Sequence, residues 1–376
     1  MRLVIVNPYS SSDRRPRSRR IQFILKVCEA EKINYLLINR KGIFENTIPI
    51  SDEVERLSPK LKQSNFLRFI KKYLFPDYWI FWTIIQYFNY RIKYYDKDDI
   101  IFTISNPFSI HYFGLWLKPK KWLVDIGDSY TSNEHNLVLD TFWMKSAIKF
   151  EKRILKNADL IILNSEALKS YYIKQYQIAE RKIKIIYNGN FLKFDNIPNS
   201  GRKEKVLAYF GSTFSSIRTG MKELDILEKL LEIDSDIKLL FIGHFHQEFK
   251  MFVNQSAVLK RAVHFNVVHS DKDLESHYAE VSILLNFSNS NYAGLPSKLI
   301  EYEQSALPII NFYSDKDEAS LNFFGERNGI YPCFVNQFDI QELYQFIKSN
   351  IHYKRKVNPS YSNEEIYKQW REILVL

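Results

Sequence analysis

The chain has 376 residues, of which 45% are hydrophobic and 26% charged, which favours two globular domains and argues against large-scale disorder. Its two cysteines, Cys28 and Cys333, lie far apart inside apolar patterns, which argues against a disulfide framework or a metal cluster and fits a reducing compartment. The net charge of +10 is uneven: residues 1–192 hold 32 Lys/Arg against 19 Asp/Glu, a net of +13, and residues 193–376 hold 21 against 24, a net of −3. The first half is therefore expected to face something anionic: a nucleic acid, an anionic membrane surface or a phosphate-bearing acceptor, with a solvated basic surface as the plain alternative.

The chain opens with a strand at residues 3–6 within MRLVIVNPYS, too short an apolar run for a signal-peptide core, so a cytoplasmic protein is expected. A polar loop, SSSDRRPRSRR, follows, and Ile21, Ile24, Leu25 and Cys28 then recur at helical spacing. Residues 35–38 read as a second strand and 41–64 as polar and loop-like. The aromatic stretch 66–95 carries Pro76 and must form at least two helical pieces. Its most apolar run, YWIFWTIIQYF, has eleven residues, short of the roughly 20 needed to span a bilayer. Strands return at 100–104, 122–126, 160–163 and 183–186, with a helical run over 142–158.

Residues 193–204, KFDNIPNSGRKE, hold turn formers and charge without periodicity and read as a linker. The pattern then restarts with strands at 206–210, 238–242, 263–267, 283–285, 308–312 and 331–335. A helix is expected over 221–233 and others between the later strands. A final helix carries a capping box, Ser362 with Glu365, and a stripe of Ile366, Trp370 and Ile373. Two successive βαβ arrays predict two doubly wound α/β domains, with ligands outside the carboxyl ends of the strands.

Glycine is scarce, 11 residues in all, yet Gly189, Gly211, Gly243 and Gly294 each follow an apolar strand or loop. In YFGSTFSSIRTGM, a strand ends at Gly211 and Arg218 stands just before the next helix, a pattern that suits a diphosphate. A solvated Arg in a Ser-rich loop is the alternative. In YAGLPSKLIEYEQSALPII, Pro296 suits a first helical turn, and Lys298 and Glu301 share a face. A carboxylate accepting two vicinal hydroxyls is a common way for α/β folds to hold a ribose, and Lys298 is placed to meet phosphate. The bland reading is a surface ion pair.

This last stretch resembles the C-terminal motif of glycosyltransferase family 4, whose members have the GT-B fold. EKRILKNADLIILNSEAL, IIYNGN, WLVDIGDSYT and YFGS are similar to other family segments in the same order. The resemblance covers residues 1 to about 312. It implies two Rossmann-like doubly wound domains facing a cleft. The acceptor would bind to residues 1–192, to which a C-terminal helix at 360–376 crosses back. The linker 193–204 would lead into a nucleotide-sugar donor domain at 205–359. It further implies transfer of a sugar from a nucleotide-diphosphate sugar to a glycan or lipid-linked acceptor in bacterial surface polysaccharide synthesis, with retention and without a metal or other cofactor. By motif, Glu301 would hold the ribose, and Arg218, Lys298 and the Gly211–Ser212 backbone the diphosphate. Val267 and Val268 would run beside the base, and Gly243, Gly294 and Leu295 would line the donor site.

Asp128 is the candidate catalytic group, and Arg14, Arg17 and Asp125 are candidates for acceptor binding, Asp125 also for stabilising its loop. Five arginines in 10–20 suit a lipid diphosphate. Trp79, Trp82 and Tyr87 are expected either at a membrane interface or in the core. His135, His244 and His269 read as structural. The chain departs from the family at Ala293, where a sugar-facing glutamate is expected eight residues before Glu301, and at Thr219, where a basic residue is usual. The alternatives are a sugar-nucleotide epimerase, a non-catalytic nucleotide-sugar-binding subunit, and a nucleic-acid-binding protein, for which no recognition motif is present.

Overall fold

The computed structural model of the chain describes residues 2–9, 16–46, 74–132, 143–194, 204–215, 218–289 and 295–375. The chain divides into two compact units, residues 1–189 with 363–376, and residues 190–362. Of the sequence-level candidates, Arg14, His135, Ala293, Gly294 and residues 195–203 of the expected linker lie outside the described residues.

The first unit is built on a seven-stranded sheet. Its elements are β1 (Leu3–Val6), α1 (Pro16–Ala30), β2 (Tyr35–Asn39), β3 (Gly42–Glu45), α2 (Ile80–Lys93), β4 (Ile100–Ile104), α3 (Tyr112–Leu117), β5 (Lys121–Ile126), α4 (Met144–Asn157), β6 (Leu160–Leu163), α5 (Glu166–Tyr176) and β7 (Ile183–Ile185). The strand order is β3-β2-β1-β4-β5-β6-β7, parallel except for β3, which pairs antiparallel with β2. β1, β2 and β4 are buried throughout, as continuous apolar runs demand when helices cover both faces of a sheet. Three features depart from the expected pattern. β3 forms within the segment read as loop, because Ile43 and Phe44 pair with Ile38 and Leu37. α3 was not anticipated, its six residues being too few to show a period. α1 begins at Pro16, so Arg17, Arg19 and Arg20 belong to its first turns and not to a loop.

The last helix, α13 (Asn363–Leu374), belongs to this unit and packs on α1. The expected stripe is its buried face: Trp370 is 0% exposed, its ring 5.9 Å from that of Phe102 and under the Arg20 guanidinium at 4.9 Å. Tyr367 adds a hydroxyl bond of 2.8 Å to Glu31. Replacing Trp370 with Ala is expected to cost about 3–5 kcal/mol, read by urea denaturation, because cavity and lost transfer energy add. A loss under about 1 kcal/mol contradicts this anchoring role.

The second unit runs β8 (Lys205–Phe210), α6 (Met221–Ile233), β9 (Ile237–Ile242), α7 (Gln247–Gln255), α8 (Ala257–Ala262), β10 (Val263–Asn266), α9 (Asp271–Glu280), β11 (Ile283–Asn286), α10 (Lys298–Gln304), β12 (Ile309–Tyr313), α11 (Ala319–Phe324), β13 (Ile330–Phe334) and α12 (Ile340–Asn350). Its six strands are all parallel in the order β10-β9-β8-β11-β12-β13. The chain order therefore reverses between β8 and β11, the point at which such sheets open to a ligand.

Candidate functional site

At that switch point three loops of the second unit meet. Gly211 follows β8 with φ +149 and donates its N–H to Ile242 O at 2.8 Å; Gly243 follows β9 with φ +137. A methyl group on Gly243 would lie 1.9 Å from Gly211 O, so the two loops touch backbone to backbone and only glycine fits. Gly243→Ala combines that clash with a disfavoured φ and is expected to cost about 2–5 kcal/mol. Thermal melting checks this, and an unchanged melting point contradicts it. The loops are further tied by Thr213 N–H to His244 O at 3.0 Å and by Thr213 Oγ1 with His246 Nδ1 at 2.9 Å.

Arg218 reaches into this junction. Its Nε donates to Asn289 Oδ1 at 2.7 Å, and its Nη1 to Tyr209 OH and Ser212 O at 3.4 Å each. Lys298 opens α10 and is 8% exposed. Its Cδ would lie 3.5 Å from a methyl on Gly211, and its Nζ sits 3.7 Å above the Tyr209 ring and 5.5 Å from that of Tyr302. No hydrogen-bond acceptor meets this Nζ among the described residues. Burial and then the Arg218 guanidinium hold the Lys298 ammonium well below the usual lysine range, against the pull of Glu301, Glu223 and Glu318. An aromatic face offsets part of the cost of such a buried cation, and an anion accepting its N–H groups would offset more. Glu301 stands one turn further along α10 and is half-buried.

Sequence reasoning missed the groups that brace this cluster. Tyr302 OH accepts from Phe210 N–H at 2.9 Å and donates to Leu285 O at 3.1 Å, linking β8 and β11 where the order reverses. Glu223 accepts from Ser288 N–H at 3.0 Å and Ser288 Oγ at 2.6 Å. Glu318 accepts from Asn289 N–H at 2.8 Å and Ser314 N–H at 3.1 Å, and burial pushes its carboxyl up to about 7. Asn289 thus passes from a buried acid to Arg218. One signal was present: Glu223 falls on the apolar stripe of α6, in register with Leu227 and Leu230. Glu303 is 0% exposed and is held by Arg327 at 2.7 Å and Arg355 at 3.0 Å. Burial pushes its carboxyl up, but the two arginines and the Asn358 N–H outweigh it and leave it low. That cluster ties α10 to the rest of the unit.

Of the expected donor residues, Gly211, Ser212, Arg218, Gly243 and Lys298 are brought together, with Glu301 close enough to act on Lys298 electrostatically. Leu295 is 8% exposed beside α10. Val268 is half-buried in the loop after β10.

In the first unit, β5 ends at Asp125, which is 0% exposed. Arg20 Nε donates to its Oδ2 at 2.5 Å, while Arg20 Nη1 donates to Ile186 O at 2.8 Å, Tyr187 O at 3.2 Å and Asn188 Oδ1 at 3.1 Å. Arg17 pairs with Asp125 at 3.5 Å and with Asp128 at 3.3 Å, its guanidinium lying against Gly127. Arg20 is therefore a structural member of the five-arginine set, joining α1, β5 and the chain after β7. Asp125 is an interior partner of two arginines, a loop-stabilising placement and not an outward-facing contact. The Asp128 side chain, at 29%, is the exposed member of the trio.

Glu151 on α4 is the hidden centre of this corner, at 0% exposure. It accepts from Ser129 Oγ at 3.1 Å, Tyr130 N–H at 2.7 Å, Thr131 N–H at 3.2 Å and Thr131 Oγ1, and from the hydroxyls of Tyr172 at 2.7 Å and Tyr176 at 2.8 Å. The loop that carries Asp128 is clamped from below by one carboxylate.

Comparison with known proteins agrees with this architecture. Residues 53–190 match the model of the family described as Glycosyltransferase Family 4. HepE of Anabaena, solved in complex with UDP-glucose, superposes with a TM-score of 0.63 at 13% identity, covering 100% of this chain and 99% of that one. The lipopolysaccharide outer core galactosyltransferase WaaB gives 0.62 at 14% identity, over 100% of this chain and 99% of its own. TarM gives 0.53 at 17% identity over 77% of this chain, which spans only 54% of TarM. No curated protein matches the sequence significantly. The resemblance read from the sequence is borne out in these terms, and the chain takes the GT-B fold of glycosyltransferases.

Proposed function

We propose that this GT-B chain, with its family 4 segment, is a glycosyltransferase that moves a sugar from a nucleotide-diphosphate sugar to a glycan or lipid-linked acceptor. The observation that carries the reading is Lys298 Nζ, buried without an acceptor among the described residues and paired with Arg218 at the switch point of an all-parallel sheet. A diphosphate is the anion that fits two converging cations, one offering a planar fork and one a point charge. During transfer the sugar–phosphate bond breaks and negative charge grows on the departing diphosphate, where Lys298 and Arg218 stabilise it. Glu301 takes the ribose hydroxyls, with Gly211, Ser212, Gly243, Gly294, Leu295 and Val268 around the donor. Asp128, held by Arg17, is the candidate for contact with the acceptor or the reacting sugar, and Arg14 is a further acceptor contact.

The UDP-glucose complex of HepE and the polysaccharide chemistry named for WaaB support a nucleotide-sugar donor and a role in bacterial surface polysaccharide synthesis. The basic excess of residues 1–192 supports work in the cytoplasm at an anionic membrane surface. Because side chains supply the positive charge at the diphosphate, transfer is expected to persist in EDTA; retention of anomeric configuration is expected from the family resemblance. A radiolabelled-donor assay with EDTA, and proton NMR of the product, test these points. Abolition of transfer by EDTA contradicts the metal-free reading, and an inverted product contradicts retention. Tight donor binding without transfer to any acceptor would favour the non-catalytic subunit.

A further inference from the structure

Helix α2 presents large apolar side chains on two opposite faces. Thr83 and Tyr90 are buried on one side, and Trp82 and Tyr87 pack against the core of the unit. On the other side Phe81 is 59% exposed, Ile85 58%, Phe88 55% and Ile92 78%. At 3.6 residues per turn these four fall within an arc of about 60° and run for about 16 Å along the helix. Tyr78 before the helix and Tyr95 after it are also exposed, at 44% and 41%. The patch extends sideways to Trp116 on the neighbouring α3, 38% exposed and 5.1 Å from the Tyr87 ring.

A helix that is apolar on both faces is ordinarily enclosed, and a contiguous apolar surface of this kind marks a contact site. The charges beside it select the occupant. α2 contains no acidic residue, and its two cations, Arg91 and Lys93, are exposed and flank the stripe on either side. Exposed Lys118 follows Trp116 at the end of α3. An amphipathic surface with an aromatic and aliphatic face rimmed by Arg and Lys matches a bilayer interface carrying anionic lipid. Among the described residues no helix is long and apolar enough to cross a membrane, and α2 has 14 residues, so the contact lies in the interface plane.

We infer that α2 is the membrane-docking element of this protein, seating Phe81, Ile85, Phe88 and Ile92 in the interface of an anionic bilayer. This rests on the reading of an enzyme working at an anionic membrane, and it replaces Trp79, Trp82 and Tyr87, which are half-buried, as the residues that enter the lipid.

Flotation of the full chain with phosphatidylcholine vesicles, with and without phosphatidylglycerol, tests it. Binding is expected to the anionic vesicles and to weaken with salt. Phe81→Ser with Phe88→Ser is expected to lower the partition coefficient on the order of a hundredfold, roughly tenfold for each half-buried ring. Arg91→Glu with Lys93→Glu leaves the apolar face intact and is expected to lower binding to anionic vesicles alone. Nucleoside-diphosphate binding, measured on the same variants, is expected to stay at the wild-type value, which separates this surface from the donor site and confirms folding. Wild-type protein that fails to float with anionic vesicles overturns the inference while leaving the donor reading in place. Equal binding by the stripe variant overturns the assignment to α2, as does a concentration-dependent dimer that the same variant dissolves.

Discussion

Lys298→Met is expected to weaken nucleoside-diphosphate binding on the order of 10- to 100-fold and to lower kcat/KM on the order of 100- to 1000-fold, with folding stability equal to or above that of the native chain. Methionine keeps the length and volume of the lysine stem, so the packing against Tyr209 is preserved. What is lost is an ammonium that the fold holds at a cost, since burial and Arg218 both disfavour its charge. A merely structural lysine gives the opposite pattern, with stability lost and binding kept. The same lysine sets a pH dependence. In the free protein its pKa is lowered, and a bound diphosphate favours the charged form and raises it. Between those two values binding therefore takes up a proton, and donor affinity falls as pH rises through the window. Calorimetric titration in buffers of different ionisation enthalpy reads the uptake directly. In the methionine variant both the uptake and the pH slope contributed by this lysine are expected to disappear.

The fold was legible because its strands are continuous apolar runs. LVIV, IIFTI and LIIL announce buried parallel strands, and the glycines at 211 and 243 mark where the first two strands of the second sheet stop. Elements without a local period were not legible, as β3 and the six-residue α3 demonstrate. The site divides the same way. Arg218, Lys298 and Glu301 lie beside helix starts and strand ends that the pattern predicts. Their braces do not: Glu223, Glu318 and Tyr302 take their roles from partners far away in sequence, and in the first unit so does Arg20. Arg20 meets Asp125, 105 positions on, and Tyr302 meets Phe210, 92 positions back. A buried acid looks locally like any helix-surface acid until its donors are known.

Glu151→Ala is expected to destabilise the first unit by about 3–5 kcal/mol and to disorder the loop that carries Asp128. Six groups donate to this one carboxylate, from Ser129, Tyr130, Thr131 (backbone and side chain), Tyr172 and Tyr176. Each buried donor left without an acceptor costs about 1–3 kcal/mol, and local relaxation and water entry return part of the sum. Burial and the charge of Glu151 push the Tyr172 hydroxyl well above the ordinary tyrosine range, so it remains a donor throughout the physiological range. Glu151→Gln keeps one acceptor oxygen but turns an NH2 group toward donors, and is expected to fall between. Urea denaturation supplies the stability, and kcat of the partly folded-competent Gln variant supplies the effect on Asp128. A loss below about 1 kcal/mol in the Ala variant contradicts the clamp.

Lys298 and Arg218 are proposed to form a diphosphate site in the second unit. Its most direct measurement is the calorimetric affinity of a nucleoside diphosphate against the matching monophosphate, in the native chain and in Lys298→Met. A preference for the diphosphate on the order of 100-fold or more is expected, since charge-assisted hydrogen bonds from two cations are each worth about 1.5–3 kcal/mol. That preference is expected to collapse in the variant. Equal affinity for the two nucleotides in the native chain, or an undiminished preference in Lys298→Met, contradicts it.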